Sequence, residues 1–440
     1  MTDDLQRWSR PVAISEAIYL PTRLTAVAVV TGTGTVDVPV MTQAFEATRA
    51  EWPILAGRIE QGPDGPRFVV PETPSPAIVR VHASGVDRTP EGDDTVLDPT
   101  VALSALDVVN EGPRFRLALL VHHSACDGKA MAACYIRMLS HYAALLTTGQ
   151  TLPLERLPMP KPLEEVLADR GIVAGPQSGL EKVLPLLSDE PLPAIADPDP
   201  VRLVRLRLTE SETASLKTLG KAHAVGMHGV FAGIFALAEH RLAGSPATML
   251  VPVFTIVDVR DRVSPPIGLL DGTVLLGFSV SMVEVTGESD AFEIGRKVSA
   301  DLAADVDSGL VQQSHLHLPE LIQRVAQAQE AGLAPMPKSI VSMSNVGNIP
   351  PVPESTGLEL KDCYGTTENL TPSDLGQPDK PDPKQYNRAY VVLSFKGRAC
   401  IEFKTQGASS RRDEDLQLYQ TLRSVIDGVL ADADRRPQHV

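Results

Sequence analysis

A chain of 440 residues is more than one ordinary hydrophobic core supports, so two domains are expected. The composition, 43% hydrophobic and 22% charged, is that of a folded, soluble protein, and with aromatics at only 4% the core must rely on Ala, Val and Leu. A net charge of −15 argues against nonspecific binding to nucleic acid or to an anionic membrane surface.

The amino terminus reads Met1-Thr2-Asp3-Asp4, with no basic n-region and no apolar h-region behind it, so no signal peptide is expected. No apolar stretch is long enough to span a bilayer. Cys126, Cys134, Cys363 and Cys400 form no CxxC, and a chain of this length hardly needs disulfide staples; the expected compartment is the cytoplasm.

Along the chain, Leu24 to Val30 reads as a strand and Val40 to Glu51 as a helix leading to Trp52-Pro53-Ile54. Phe115 to Val121 is a nearly continuous apolar strand, as expected for a strand buried on both faces. A helix follows, because Met131, Cys134, Tyr135, Met138, Tyr142 and Leu145 recur at steps of three and four; Thr147-Thr148-Gly149 ends it. Residues 152–200 are dense in proline and read as a connection between domains, with a short helix near Gly179 to Leu187.

The second half restarts with a strand, Val204, Leu206 and Leu208 alternating with Arg205 and Arg207 on a solvated face, followed by the capping box Thr209-Glu210-Ser211-Glu212. His228 to Ala243 is apolar all round and predicts a buried helix. The segment from Pro351 to Asn387 lacks periodicity and reads as a long surface loop; Ala389 to Phe395 and Ala399 to Lys404 flank a hairpin turn.

The chemistry concentrates in His122-His123-Ser124-Ala125-Cys126-Asp127-Gly128, an HHxxxDG pattern at the end of the apolar strand. Each residue alone has a plain structural reading: Asp127 as the cap of the next helix, a histidine as a hydrogen-bonded core residue. Together, at a strand–turn–helix junction, they suit a general base on a strand end with a carboxylate shaping the turn behind it. Metal binding is disfavoured, because adjacent histidines on a strand point to opposite faces and do not share an ion. His223 and His228 read as structural; His315 and His317 alternate in HLHL and could serve as ligands, with a local strand or loop the favoured reading.

The HHSACDG segment, following FRLALLV and preceding an amphipathic helix, resembles the signature of the condensation-domain and CoA- or carrier-dependent acyltransferase superfamily. That group includes nonribosomal peptide synthetase condensation domains, plant-type BAHD acyltransferases and the polyketide-associated acyltransferases of actinobacteria. Val257-Asp258-Val259-Arg260-Asp261-Arg262 with Pro265-Pro266 resembles an (N/D)xR stretch of the family's second lobe, and Ser344-Asn345-Val346-Gly347 resembles its SN-x-G element. The DFGWG hallmark of the BAHD branch is missing, and the polyketide-associated acyltransferases fit best.

The resemblance implies an α/β (α+β) fold of two chloramphenicol-acetyltransferase-like lobes, each a mixed sheet flanked by helices, with a substrate tunnel between them. The lobes would be residues 1–175 and 201–440, joined by a proline-rich linker at 176–200. His123 would be the general base, taking the proton from an acceptor hydroxyl or amine as it attacks a thioester. Asp127 would be structural, paired with Arg260; Gly128 would permit a tight turn beside the channel; His122 would brace the loop. Ser344, Asn345 and Gly347 would line the channel, with Asn345 an oxyanion candidate or a plain turn residue.

The implied donor is acyl-CoA or a phosphopantetheinyl acyl carrier protein or carrier domain, and the acceptor an alcohol, giving an ester, or an amine. No metal or separate cofactor is implied, transfer would be direct with no acyl-enzyme on Cys126, and a monomer is expected. A catalytically silent carrier-recruiting module and a thioester hydrolase are the competing readings.

Overall fold

The apolar run at Phe115–Val121 lies in the middle of a sheet, and this placement explains why it carries no polar alternation. The computed structural model describes residues 8–87, 95–182, 202–330, 340–350, 357–370, 388–405 and 412–435. In chain order these form β1 (Trp8–Pro11), α1 (Ile14–Ala17), β2 (Thr25–Thr33), α2 (Val38–Glu51), β3 (Arg58–Gly62), β4 (Gly65–Val70), β5 (Val79–His82), β6 (Ser104–Glu111), β7 (Arg114–His122), α3 (Gly128–Thr148) and α4 (Leu163–Ala168). Then come β8 (Arg202–Arg207), α5 (Glu210–Ala222), α6 (Met227–Leu242), β9 (Met249–Asp258), β10 (Leu276–Val285), α7 (Ala291–Asp307), α8 (Leu310–Gln313) and α9 (Leu318–Glu330). The last elements are β11 (Val341–Asn348), β12 (Glu359–Glu368), β13 (Arg388–Phe395), β14 (Arg398–Thr405) and α10 (Arg412–Arg435).

The described residues divide into two compact units. The first lies within Met1–Gly171, Val263–Leu275 and Ile349–Gly376, the second within Ile172–Arg262, Leu276–Asn348 and Gln377–Val440. The linear division at 175 and 201 therefore misplaces two stretches: 263–275 and 349–376 pack with the first unit although they follow the start of the second. Most of the proline-rich linker lies outside the described residues, as does the end of the short helix expected near Gly179; its described part is a 3₁₀ turn at Leu180–Lys182.

In the first unit a five-stranded sheet has the order β12-β2-β7-β6-β5, antiparallel except for the parallel β5–β6 pair. A smaller antiparallel sheet is ordered β1-β4-β3. Every residue of β7 after Arg114 is buried. β12 falls inside the stretch read as a surface loop. It pairs with β2 along its length and buries Cys363, Tyr364, Thr366 and Glu368. Its sequence, ELKDCYGTTE, mixes charge with a glycine, so neither two-residue alternation nor an apolar run marks it. The rest of the expected loop, 351–356 and 371–387, lies outside the described residues.

The second unit carries a six-stranded mixed sheet, β10-β9-β11-β13-β14-β8, parallel only at β9–β11 and β11–β13. One face packs on α5, α6, α7 and α10 through Val253, Val283, Met343, Tyr390, Ile401 and Phe403. The β13–β14 hairpin turns at Lys396-Gly397, both at positive φ, which matches the right-handed twist of the strands. Arg205 is half-buried opposite Glu402 rather than on a solvated face, while Arg207 is exposed. His315 and His317 sit in a 3₁₀ turn, not a strand.

Helices α6 and α7 approach through glycine. A Cβ on Gly233 would lie 1.9 Å from the Ala291 carbonyl oxygen. Gly233→Ala would gain roughly 1 kcal/mol of helix propensity but force the helices apart. We expect a net loss of about 1–3 kcal/mol in a urea melt; a stabilised variant would show that the helices separate at no cost.

Among the described residues no single helix is long and apolar enough to cross a membrane.

Candidate active site

The HHxxxDG segment occupies the turn from β7 into α3. The final pair of the β2–β7 ladder is Thr25 with His122. The His122 backbone N–H donates to Leu103 at 2.9 Å, and that of His123 to Leu24 at 2.8 Å, so both histidines hang from fixed main chain. The turn closes with Ala125 N–H on the His122 carbonyl at 2.9 Å. Asp127 is then the N-cap of α3: its Oδ1 accepts from Ala130 N–H at 3.0 Å.

Asp127 does more than cap. Its Oδ2 accepts from Leu275 N–H at 3.0 Å, and its own N–H donates to the Thr273 carbonyl at 3.1 Å. The carboxylate, 1% exposed, thereby ties the start of α3 to the 263–275 stretch. Gly128 is exposed and is the first helical residue of α3, so its backbone is helical. The four cysteines are buried and form no disulfide among the described residues, and Cys126, inside the motif, is 0% exposed, which keeps its thiol out of solvent.

The two histidines have different surroundings. His122 is fully buried, with Nδ1 2.7 Å from Ser124 Oγ. The Ser124 N–H also donates to Nδ1, at 3.3 Å. Burial, then the neighbouring His123 and Arg23, push the His122 pKa down to about 3, against the opposing pull of Asp98. His122 is a neutral brace at neutral pH. His123 is partly exposed, and its ring stacks on Tyr19 with centroids 4.4 Å apart and planes 17° apart. Of the pair, only His123 is partly open to solvent.

The His122 shift has a stability consequence. In the unfolded chain the ring takes a proton below about pH 6.5; in the folded chain it does not until about pH 3. The unfolded state thus binds the extra proton, and stability falls as pH drops from about 6.5 toward 3. His122→Asn should flatten that part of a stability–pH curve measured by urea melts.

Away from the motif, the Glu51 carboxylate ties α3 to the segment that follows it. Glu51 accepts from Arg137 Nε at 2.8 Å and Nη2 at 2.5 Å, and lies 2.9 Å from His141 Nε2. Burial raises its pKa, but the bonds from Arg137, His141 and the Glu155 N–H outweigh it and bring the value down to about 2. A depressed carboxyl pKa stabilises the fold above the unfolded value near 4.3, and that contribution is lost as pH falls toward 2. Glu51→Gln should weaken the fold at pH 7 and reduce its loss between pH 5 and 2, read by the same melts.

The second-lobe candidates lie in the second unit. Arg260, 3% exposed, donates to Asp258 Oδ1 through Nη1 at 2.9 Å and through its N–H at 3.2 Å. Ser344, Asn345 and Gly347 belong to β11, not to a turn. The strand bulges between Asn345 and Gly347, with Gly347 at φ +87° and its N–H donating to Asn345 Oδ1 at 3.0 Å. His223 stacks on Phe292 at 4.1 Å, and His228 Nε2 lies 3.2 Å from Thr255 Oγ1, its pKa pushed down to about 4 by burial.

Sequence reasoning missed Tyr19, Glu16, Thr273 and Leu275. Glu16 is 0% exposed and holds Arg10 at 2.5 Å, the Ala13 N–H at 2.8 Å and the Thr273 hydroxyl at 2.5 Å. Nothing in a local window marks these residues, because their partners stand up to 257 positions away.

Two mixed-sheet units, one carrying HHxxxDG at a central strand end, define a condensation-type acyltransferase fold. The polyketide synthase associated protein 5 from Mycobacterium tuberculosis superposes with a TM-score of 0.76 over 96% of this chain and 98% of its own, at 24% identity. A trichothecene 15-O-acetyltransferase from Fusarium sporotrichioides gives 0.69 at 11% identity over 96% of this chain and 95% of its own. The first condensation domain of the calcium-dependent antibiotic synthetase gives 0.64 at 16% identity, over 95% and 96%.

Residues 197–404 match the family model for the phthiocerol/phthiodiolone dimycocerosyl transferase C-terminus. The enzyme of that name from Mycobacterium ulcerans is 30% identical over 81% of this chain and 84% of its own length. The one from Mycobacterium tuberculosis is 28% identical over 76% and 79%. The chain belongs to the phthiocerol/phthiodiolone dimycocerosyl transferase family, and it is an acyltransferase of lipid biosynthesis.

Proposed function

We propose that this acyltransferase moves a long acyl chain from a phosphopantetheinyl thioester to the hydroxyl of a lipid alcohol, with His123 as general base. The observation that carries this reading is the division of labour in the motif: His122 is buried and held neutral, while His123 is partly exposed on a fixed strand end. The names of the relatives, which describe dimycocerosyl transfer to phthiocerol or phthiodiolone, support acyl transfer to a lipid acceptor.

His123 takes the proton as the acceptor oxygen attacks the thioester carbonyl. The tetrahedral intermediate collapses, the C–S bond breaks, and the thiolate leaves with the proton returned by the imidazolium. Base catalysis contributes about 10²–10⁴-fold, and positioning of the two substrates supplies more. The donor's phosphopantetheine arm, on CoA or on a carrier protein, is the only prosthetic chemistry this step needs.

The test offers acyl-CoA, acyl-N-acetylcysteamine and acyl carrier protein in turn, with long-chain alcohols and amines, and reads products by mass. An ester from wild type that His123→Ala does not form is the expected result. An amide would overturn the acceptor class, and acceptor-independent thioester loss would point to hydrolysis. Preference for the carrier protein over CoA would identify the donor.

A further inference from the structure

We propose that Tyr19 is a positioning residue for His123, its ring fixing the plane of the imidazole. This rests on His123 being the base. A general base works through the edge of its ring, where the lone pair lies. A stacked partner covers a face and leaves the edge open, and Tyr19 meets His123 in that way, at 4.4 Å and 17°. An imidazole on a strand end otherwise turns about two side-chain torsions, and misplacement by about 1 Å can cost 10²-fold in rate.

Tyr19 can hold the ring only if it is held itself, and the first unit supplies that. Tyr19 follows α1, whose side chains are anchored on both sides. Ser15 gives its N–H and hydroxyl to Glu164 at 2.8 and 2.7 Å. Glu16 is locked by Arg10, the Ala13 N–H and Thr273. The Tyr19 carbonyl accepts from Leu24 N–H at 3.0 Å, and the Leu24 carbonyl accepts from His123 N–H at 2.8 Å, so main chain and ring both join the two residues.

The connections close a circuit. Glu16 binds the Thr273 hydroxyl, the Thr273 carbonyl accepts from Asp127 N–H, and Asp127 lies four residues beyond His123, which stacks on Tyr19. The Tyr19 hydroxyl is driven above its ordinary pKa by burial and then by the Asp127 carboxylate, so the partner is a neutral phenol. The segment meets the motif directly at His123 and, through Thr273, at Asp127.

The experiment compares wild type, Tyr19→Phe and Tyr19→Leu, each with and without His123→Ala. The substrates are octanoyl-N-acetylcysteamine and 1-decanol, and rates are scaled to folded protein. Tyr19→Leu should lower kcat about 10–100-fold with KM within twofold, and Tyr19→Phe, which keeps the stack, should stay within about threefold of wild type. In the His123→Ala background Tyr19→Leu should change the residual rate less than twofold, because Tyr19 acts through the imidazole.

Equal losses in both backgrounds, or no loss in either, would overturn the proposal. If His123→Ala itself matches wild type, the base assignment fails instead, and the two failures are told apart. The histidine Cε1–H resonance absent from His123→Ala gives a readout independent of turnover. It should keep its ring-current shift in Tyr19→Phe and lose it in Tyr19→Leu; a resonance unmoved by Tyr19→Leu would remove the stack and the proposal with it.

Discussion

Replacing His123 with alanine should lower kcat for ester formation by about 10²–10⁴-fold while the protein stays folded. The side chain is partly exposed and stacks on Tyr19, a contact worth roughly 0.5–1.5 kcal/mol, so the unfolding midpoint should move little. The pH profile supplies a second signature. A base must be unprotonated, so kcat/KM for wild type falls on the acid side, and that limb should vanish in His123→Ala. His122→Ala makes the contrast: it removes a fully buried ring bonded to Ser124 and should cost roughly 1–3 kcal/mol of stability. Wild-type ester formation by His123→Ala would end the base assignment.

Asp127→Ala should instead behave as a folding defect. The substitution removes the cap of α3, worth about 0.5–2 kcal/mol. It also strips the buried Leu275 N–H of its acceptor, at roughly 1–3 kcal/mol more. Losses of about 1.5–5 kcal/mol should appear in urea melts, with a smaller folded yield. The molecules that fold should retain far more activity than His123→Ala. Asp127→Asn, which keeps one oxygen, should fall between. A variant that melts like wild type yet loses activity a thousandfold would make the carboxylate a chemical participant. The pairing of Asp127 with Arg260 expected from the resemblance is measured separately, by a double-mutant cycle on stability: coupling above about 1 kcal/mol establishes it, and additivity refutes it.

Local sequence carried much of the architecture. β7 was legible because a strand covered on both faces is nearly continuously apolar, and α3 because its buried residues recur at helical spacing up to Gly149, which caps the helix at φ +72°. The capping box at Thr209 and the hairpin at Lys396-Gly397 were readable for the same reason: their signals lie within a few residues. β12 was not readable, since its stability comes from pairing with β2 more than 300 positions earlier rather than from its own composition. Asn345 shows the opposite failure. Ser-Asn-x-Gly is turn chemistry, yet pairing of Ser344 with β9 and of Asn345 and Gly347 with β13 holds it as a bulged strand.

The sequence by itself determined the reaction class and the motif and singled out the candidate base, because HHxxxDG places all its chemistry within seven residues of a recognisable strand–turn–helix junction. Only the tertiary structure decided how the two histidines differ, since exposure and the Ser124 and Tyr19 contacts are properties of the folded surroundings. It alone also showed that the 263–275 stretch returns to the first unit and bonds Asp127 there. The physical reason is range: propensity, capping and periodicity act over a turn or two of chain. The buried hydrogen bonds that hold a catalytic side chain in place are satisfied by whichever distant backbone the fold brings alongside.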